Sequence, residues 1–131
     1  MTRCIARPRQ LAYERQQGCC YYCGMPMWLR SAGELTSRFS LSDRQAELLR
    51  CTAEHLHARR DGGGNAQSNI AAACLYCNRG RHARKRPPSP EQFSNFVRSR
   101  ILRARWHSDS LLKCLPLPFF PPTTRPSSLE R

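Results

Sequence analysis

The chain has 131 residues, the length of one domain, and its 40% apolar content is diluted by Ala and Cys and by a final quarter rich in Pro and Arg. The packable core is therefore small and calls for a staple, which eight cysteines can supply as disulfides or as metal ligands. No apolar run approaches the roughly 18 residues of a membrane span. A formal net charge of +13, with Arg making up 20 of the 22 basic residues, argues for a polyanionic partner such as nucleic acid.

The opening residues, Met-Thr-Arg-Cys-Ile-Ala-Arg-Pro-Arg, contain no apolar run of the roughly 7–15 residues that a secretory signal needs. An intracellular, cytoplasmic and reducing compartment is therefore expected, which favours metal-bound thiolates over disulfides. Residues 1–17 read as a basic lead-in, with Leu11, Ala12 and Arg15 in one or two helical turns that Gly18 ends. Next comes Cys19-Cys20-Tyr21-Tyr22-Cys23-Gly24, in which Cys20 and Cys23 have zinc-knuckle spacing and Gly24 permits the tight turn. Cys19 is an adjacent thiol, but using it would spoil the two-residue gap.

Residues 25–39 form a mixed connector in which Met27, Trp28, Leu35 and Phe39 are packing residues. Ser42 or Asp43 can cap a short helix over 42–50, with Ala46, Leu48 and Leu49 as its apolar positions. Residues 51–56 suit a strand, Asp61-Gly62-Gly63-Gly64-Asn65 a turn, and 69–73 a returning strand, although its three alanines are poor strand formers. A helix over 78–85 follows, with Gly80 a weak spot, and Arg86-Pro87-Pro88 stops it. Ser89-Pro90-Glu91-Gln92 then opens another helix with a capping box and a proline at its first position. Phe93, Phe96, Val97, Ile101 and Ala104 fall on one face of it, and Arg98, Arg103 and Arg105 lie away from that face. Four segments result: the lead-in at 1–17, a knuckle-bearing domain at 18–86, an amphipathic helix at 87–106 packing on it, and a Pro-rich disordered tail at 107–131.

Cys20 and Cys23 pair with Cys74 and Cys77 as two Cys-x-x-Cys knuckles, and four thiolates suit one tetrahedral zinc that ties distant segments together. A redox Cys-x-x-Cys would need a thioredoxin-like βαβ context, which is missing, and disulfides would need secretion. Cys4, Cys19, Cys51 and Cys114 remain as free thiols, Cys51 buried in its strand. A zinc with four protein ligands has no open position, so it holds structure, and chemistry needs a second site.

Glu54 and His55 are neighbours, so on a regular strand they point to opposite faces, and one site using both needs a twist, a bulge or the following loop. Asn78 and His82 stand one helical turn apart and can face one point. Glu54-His55, Gly62-Gly63, Asn69 and Cys74-x-x-Cys77-Asn78, with Cys20-x-x-Cys23 upstream, together resemble the HNH endonuclease family of the ββα-metal fold in its four-cysteine form. The resemblance covers about half of the chain, from Gly18 to Lys85 with an interruption between Pro26 and Arg50, and the ordered set is far more specific than any one element.

The resemblance implies an α+β fold, a small zinc-stapled ββα-metal domain with flanking helices at residues 18–86, and hydrolysis of DNA phosphodiester bonds. His55 would be the general base, an imidazole titrating near neutral pH. Glu54 and Asn78 would hold a catalytic divalent cation, Mg²⁺ or Mn²⁺, through oxygen, and Asn69 would pin the loop that orients His55. Glu54 stands where the family more often has Asp, and Asn78 where the name calls for His. His82, one turn on, would be an additional ligand, which favours Mn²⁺, Ni²⁺ or Zn²⁺. His57 has no assigned role. Arg59, Arg60, Arg79, Arg81, Arg84 and Lys85 bracket the site as phosphate contacts for double-stranded DNA, with nicking or weak sequence preference. Action on RNA is a further possibility. The alternative from a different class is a noncatalytic zinc-stapled nucleic-acid-binding or assembly protein that keeps the fold.

Overall fold

Two short antiparallel strands, β1 (Cys51–His55) and β2 (Ile70–Cys74), centre the fold in the computed structural model, which describes residues 3–115. Their register pairs Cys51 with Cys74, Glu54 with Ala71 and His55 with Ile70, without a bulge. Strand β2 is buried at every position, and this accounts for its alanines: small side chains let neighbouring elements approach closely, which outweighs their weak strand propensity. Around the sheet stand α1 (Arg3–Arg15), α2 (Gly33–Thr36), α3 (Asp43–Leu48), α4 (Leu75–His82), α5 (Pro90–Leu102) and α6 (Asp109–Leu112). Helix α1 packs on both strands, and α4 follows β2 directly and contacts both. This is a small α+β domain whose cysteine cluster is placed to staple it through a metal such as zinc.

The outer edge of β2 is closed by side chains as much as by backbone. Gln16, 3% exposed, donates to Ala72 O at 2.8 Å and accepts from Ala72 N at 3.0 Å, as a neighbouring strand residue would. Tyr21 N also donates to Ala72 O, Arg15 donates to Ile70 O, and Cys74 N donates to Cys20 Sγ. The edge therefore offers no open template to another chain.

The expected capping box of Ser89 with Gln92 forms on α5, and on α3 the cap is Ser42, which makes a capping box with Gln45; each box satisfies two otherwise orphaned N–H groups. On α5, Phe93 and Val97 are buried and Phe96 reaches the surface, while Ala104 lies beyond the helix end. Helix α4 starts three residues earlier than the pattern predicts. Cys74 Sγ accepts from Cys77 N and so caps the helix, which makes the second knuckle its first turn.

Two boundaries need correction. The lead-in at 1–17 is not peripheral: α1 runs through Arg15, and Ala12 and Gln16 are buried against the sheet. The disordered tail does not begin at 107, because His107 is buried, Ser108 caps α6 and Leu111 enters the core. The rest of the expected tail, 116–131, lies outside the described residues, as does the side chain of Cys4. Among the described residues no helix is long and apolar enough to cross a membrane.

Candidate active site and metal centre

The sulfurs of Cys20, Cys23, Cys74 and Cys77 lie within 4.8 Å of one another, and all four residues are buried. Burial pushes the thiols of Cys23, Cys74 and Cys77 up, whereas hydrogen bonds from those thiols and from backbone overcome burial at Cys20 and hold it well below the ordinary range. Four soft donors converging in an apolar interior, one of them already favouring the thiolate, fit a tetrahedral metal such as zinc. Cys51 stands outside the converging cluster, and burial pushes its thiol up to about 12. Trp106 Nε1 donates to Cys77 Sγ at 3.2 Å, and His107 Nε2 lies 3.3 Å from Cys23 Sγ. Burial also pushes His107 down to about 4, so its ring is neutral near pH 7.

At the opposite end of β1 a cavity of about 260 Å³ is lined by Ala53, Glu54, His55, Ala58, Arg59, Arg60, Asn78, His82 and Pro87. Glu54 and His55 both reach it although they are adjacent and the strand is regular; the strand ends at His55 and the cavity lies at that end. Asn78 donates its amide hydrogens to Thr52 Oγ1 at 2.9 Å and Ala53 O at 3.3 Å, so what it has left to offer a cation is Oδ1.

Glu54 is 1% exposed, and its carboxylate is heavily used. Oε2 accepts from Tyr22 Oη at 2.8 Å and Arg81 Nη1 at 2.7 Å, and Oε1 accepts from His82 Nε2 at 3.0 Å. Burial and the Glu54 charge together raise the Tyr22 hydroxyl far above its usual range, so Tyr22 stays a donor. A cation between Glu54 and His82 would take the place of the proton those two side chains now share.

Arg81 is therefore a correction to the phosphate-binding set. The residue is 4% exposed and its guanidinium spans Glu54, His55 O and Pro88 O, so it neutralises the buried carboxylate and is not presented to solvent. Arg59, Arg60, Arg79, Arg84 and Lys85 are exposed; Arg60 donates to Lys85 O, and Arg84 lies over the Phe96 ring.

The loop between the strands is held at several points. Asn69 Oδ1 accepts from His57 N at 2.8 Å, and its Nδ2 donates to Gly64 O at 2.8 Å and His57 O at 3.1 Å. Gly63 is obligatory, since a Cβ there would stand 1.7 Å from His57 O. His57, which the sequence left without a role, donates Nε2–H to Asp61 O at 2.7 Å and so braces the same loop.

The ring of His55 meets Asn65. Its Oδ1 is 2.8 Å from His55 Nε2, and an amide oxygen can only accept, so the neutral ring carries its proton on Nε2 and keeps Nδ1 as the basic nitrogen. By sequence alone Asn65 is a turn residue. Its place beside three glycines, in a loop that must present a histidine, was the available signal.

No curated protein and no solved structure matches the chain. Residues 39–84, about a third of the chain, match a family model described as HNH endonuclease, a stretch holding Glu54, His55, Asn69, Cys74, Cys77, Asn78 and His82 but neither the first knuckle nor Trp106 and His107. Over that stretch the chain is similar to the HNH endonuclease family.

Proposed function

We propose that this protein is a metal-dependent endonuclease that hydrolyses phosphodiester bonds in double-stranded DNA, with weak sequence preference or nicking activity. The observation that carries the reading is the single cavity in which Glu54, His55, Asn78, His82, Arg59 and Arg60 converge. His55, its Nε2–H held by Asn65, takes a proton through Nδ1 from the attacking water. Glu54 Oε1, Asn78 Oδ1 and His82 would hold a divalent cation, Mg²⁺ or Mn²⁺, with the nitrogen ligand favouring Mn²⁺ or a softer ion. Such a cation, when bound, supplies positive charge for the scissile phosphate and the leaving oxygen. Asn69 keeps the loop in shape, and Arg59, Arg60, Arg79, Arg84 and Lys85 grip the flanking phosphates without reading bases. The cysteine quartet holds a structural zinc.

The test is plasmid nicking in magnesium or manganese by the zinc-loaded chain and by its His55→Ala variant. Loss of nicking with zinc content and circular dichroism unchanged supports His55 as base; undiminished nicking removes it.

The noncatalytic reading has one observation in its favour, the ion pair that leaves Glu54 Oε2 already satisfied by Arg81 and Tyr22. Under that reading the wild-type chain binds DNA in a salt-sensitive manner and cuts it with none of Mg²⁺, Mn²⁺, Ni²⁺ or Zn²⁺.

A further inference from the structure

The backbone of the two knuckles serves their sulfurs unequally. Cys20 Sγ accepts from the N–H groups of Tyr22 at 3.3 Å, Cys23 at 3.5 Å and Cys74 at 3.3 Å, and Cys74 Sγ accepts from Cys77 N at 3.4 Å. The second cysteine of each knuckle is met instead by a side chain from beyond α5. Trp106 Nε1 donates to Cys77 Sγ at 3.2 Å, and His107 Nε2 lies 3.3 Å from Cys23 Sγ, where a thiolate, which can only accept, would hold the ring proton on Nε2. The correspondence is one donor to one sulfur, and it spans both knuckles.

The backbone is bent to achieve this. Ala104 and His107 have φ of +55° and +66°, the left-handed region that side chains disfavour, so packing must hold them there. Trp106 lies so close to Gly80 that a Cβ there would stand 3.3 Å from its ring, which explains a glycine inside α4. The His107 ring stacks on Tyr76 at 4.4 Å between centroids, and Leu111, 1% exposed, anchors the segment beyond.

We propose that residues 104–112 form a strap that retains the metal, with Trp106 and His107 as positioning residues whose N–H groups hold the thiolates of Cys77 and Cys23. This rests on the reading that the quartet binds zinc. Four thiolates around Zn²⁺ leave two net negative charges in an apolar interior, and each N–H directed at a sulfur offsets part of that charge. The strap lies outside residues 39–84, so it is an addition of this chain to the matched stretch.

Trp106→Phe and His107→Phe keep a ring and remove the N–H. Each is expected to weaken zinc binding, read by competition with a chromogenic chelator, by about 10- to 100-fold. Each is also expected to shift the thiolate-to-metal charge-transfer band of the cobalt-substituted protein to lower energy, because a sulfur relieved of a hydrogen bond is easier to oxidise. Arg105→Ala and Asp109→Ala, at exposed positions of the strap, leave both readouts unchanged. Wild-type affinity and an unmoved band in both phenylalanine variants overturn the proposal. If a variant fails to fold, the wild-type chain loaded with ¹¹³Cd decides: scalar coupling from cadmium to the Trp106 indole proton and the His107 Nε2 proton supports the strap, and its absence from both overturns it. A wild-type chain that gives no cobalt–thiolate band at all removes the metal reading itself, a result distinct from a normal band that the variants do not move.

Discussion

Replacing Arg81 by Met separates the two uses that Glu54 can have. The wild-type ion pair is 2.7 Å long, with side chains only 5% and 1% exposed, so removing the guanidinium strands a buried carboxylate. Breaking a buried pair costs about 3–5 kcal/mol. Tyr22 and His82 remain on Glu54 and Met restores most of the volume, which puts the loss near the low end, at about 3 kcal/mol. In a chain of this size that is a fall in Tm of about 10 °C. A cation that uses Glu54 then replaces the lost charge: at one hundred times its Kd it returns about 2.7 kcal/mol. In the wild type the same cation must share the carboxylate with Arg81 and stabilises less. The assay is urea or thermal unfolding of zinc-saturated Arg81→Met and wild type with and without MnCl₂, with Glu54→Gln as the variant that should not respond. A loss below about 1 kcal/mol, or a manganese response no larger in Arg81→Met than in wild type, refutes the reasoning.

Three further outcomes follow from the geometry. Asn65→Asp sets a carboxylate against His55 and favours the imidazolium; because the base works in its neutral form, the acid limb of the nicking-rate profile moves up by about one pH unit, while Asn65→Ala slows the reaction without moving the limb. Gly63→Ala forces the loop off His57 O and lowers nicking by about 100-fold at constant zinc content, whereas Gly64→Ala, where a Cβ meets open space, is silent. Gln16→Leu leaves Ala72 N without its side-chain acceptor and Cys19 O without its side-chain donor, a loss of about 2–3 kcal/mol in urea unfolding.

What could be read from the sequence was chemistry fixed by spacing. The knuckles, the cap at the start of α3, the capping box of α5 and the one-turn offset of Asn78 and His82 are local, and a local pattern survives in any tertiary context. What could not be read were roles that depend on a partner distant in the chain. Arg81 looks like its neighbours Arg79 and Arg84 until the buried Glu54, 27 residues earlier, is seen beside it. Trp106 looks like the end of the amphipathic segment and His107 like the start of a tail, yet Cys77 and Cys23, 29 and 84 residues away, give them their place. Gln16 is likewise polar and ordinary until the edge of β2 needs a partner.

Helix α4 carries both sites in two turns. Cys74 caps it, Cys77 lies in its first turn, and Asn78, Arg81 and His82 follow within five residues. A helix of eight residues is not stable alone, since isolated helices below about 12–15 residues are marginal in water, so its shape comes from packing and from whatever binds the knuckle at its start. Loss of a knuckle metal should then disperse Asn78, Arg81 and His82 together and free Glu54 from two of its partners. A chelator that abolishes nicking therefore cannot, by that result alone, identify a catalytic cation. The informative titration holds zinc saturated and varies magnesium or manganese, and only loss of activity under that condition, with α4 intact by circular dichroism, counts toward a second metal at Glu54.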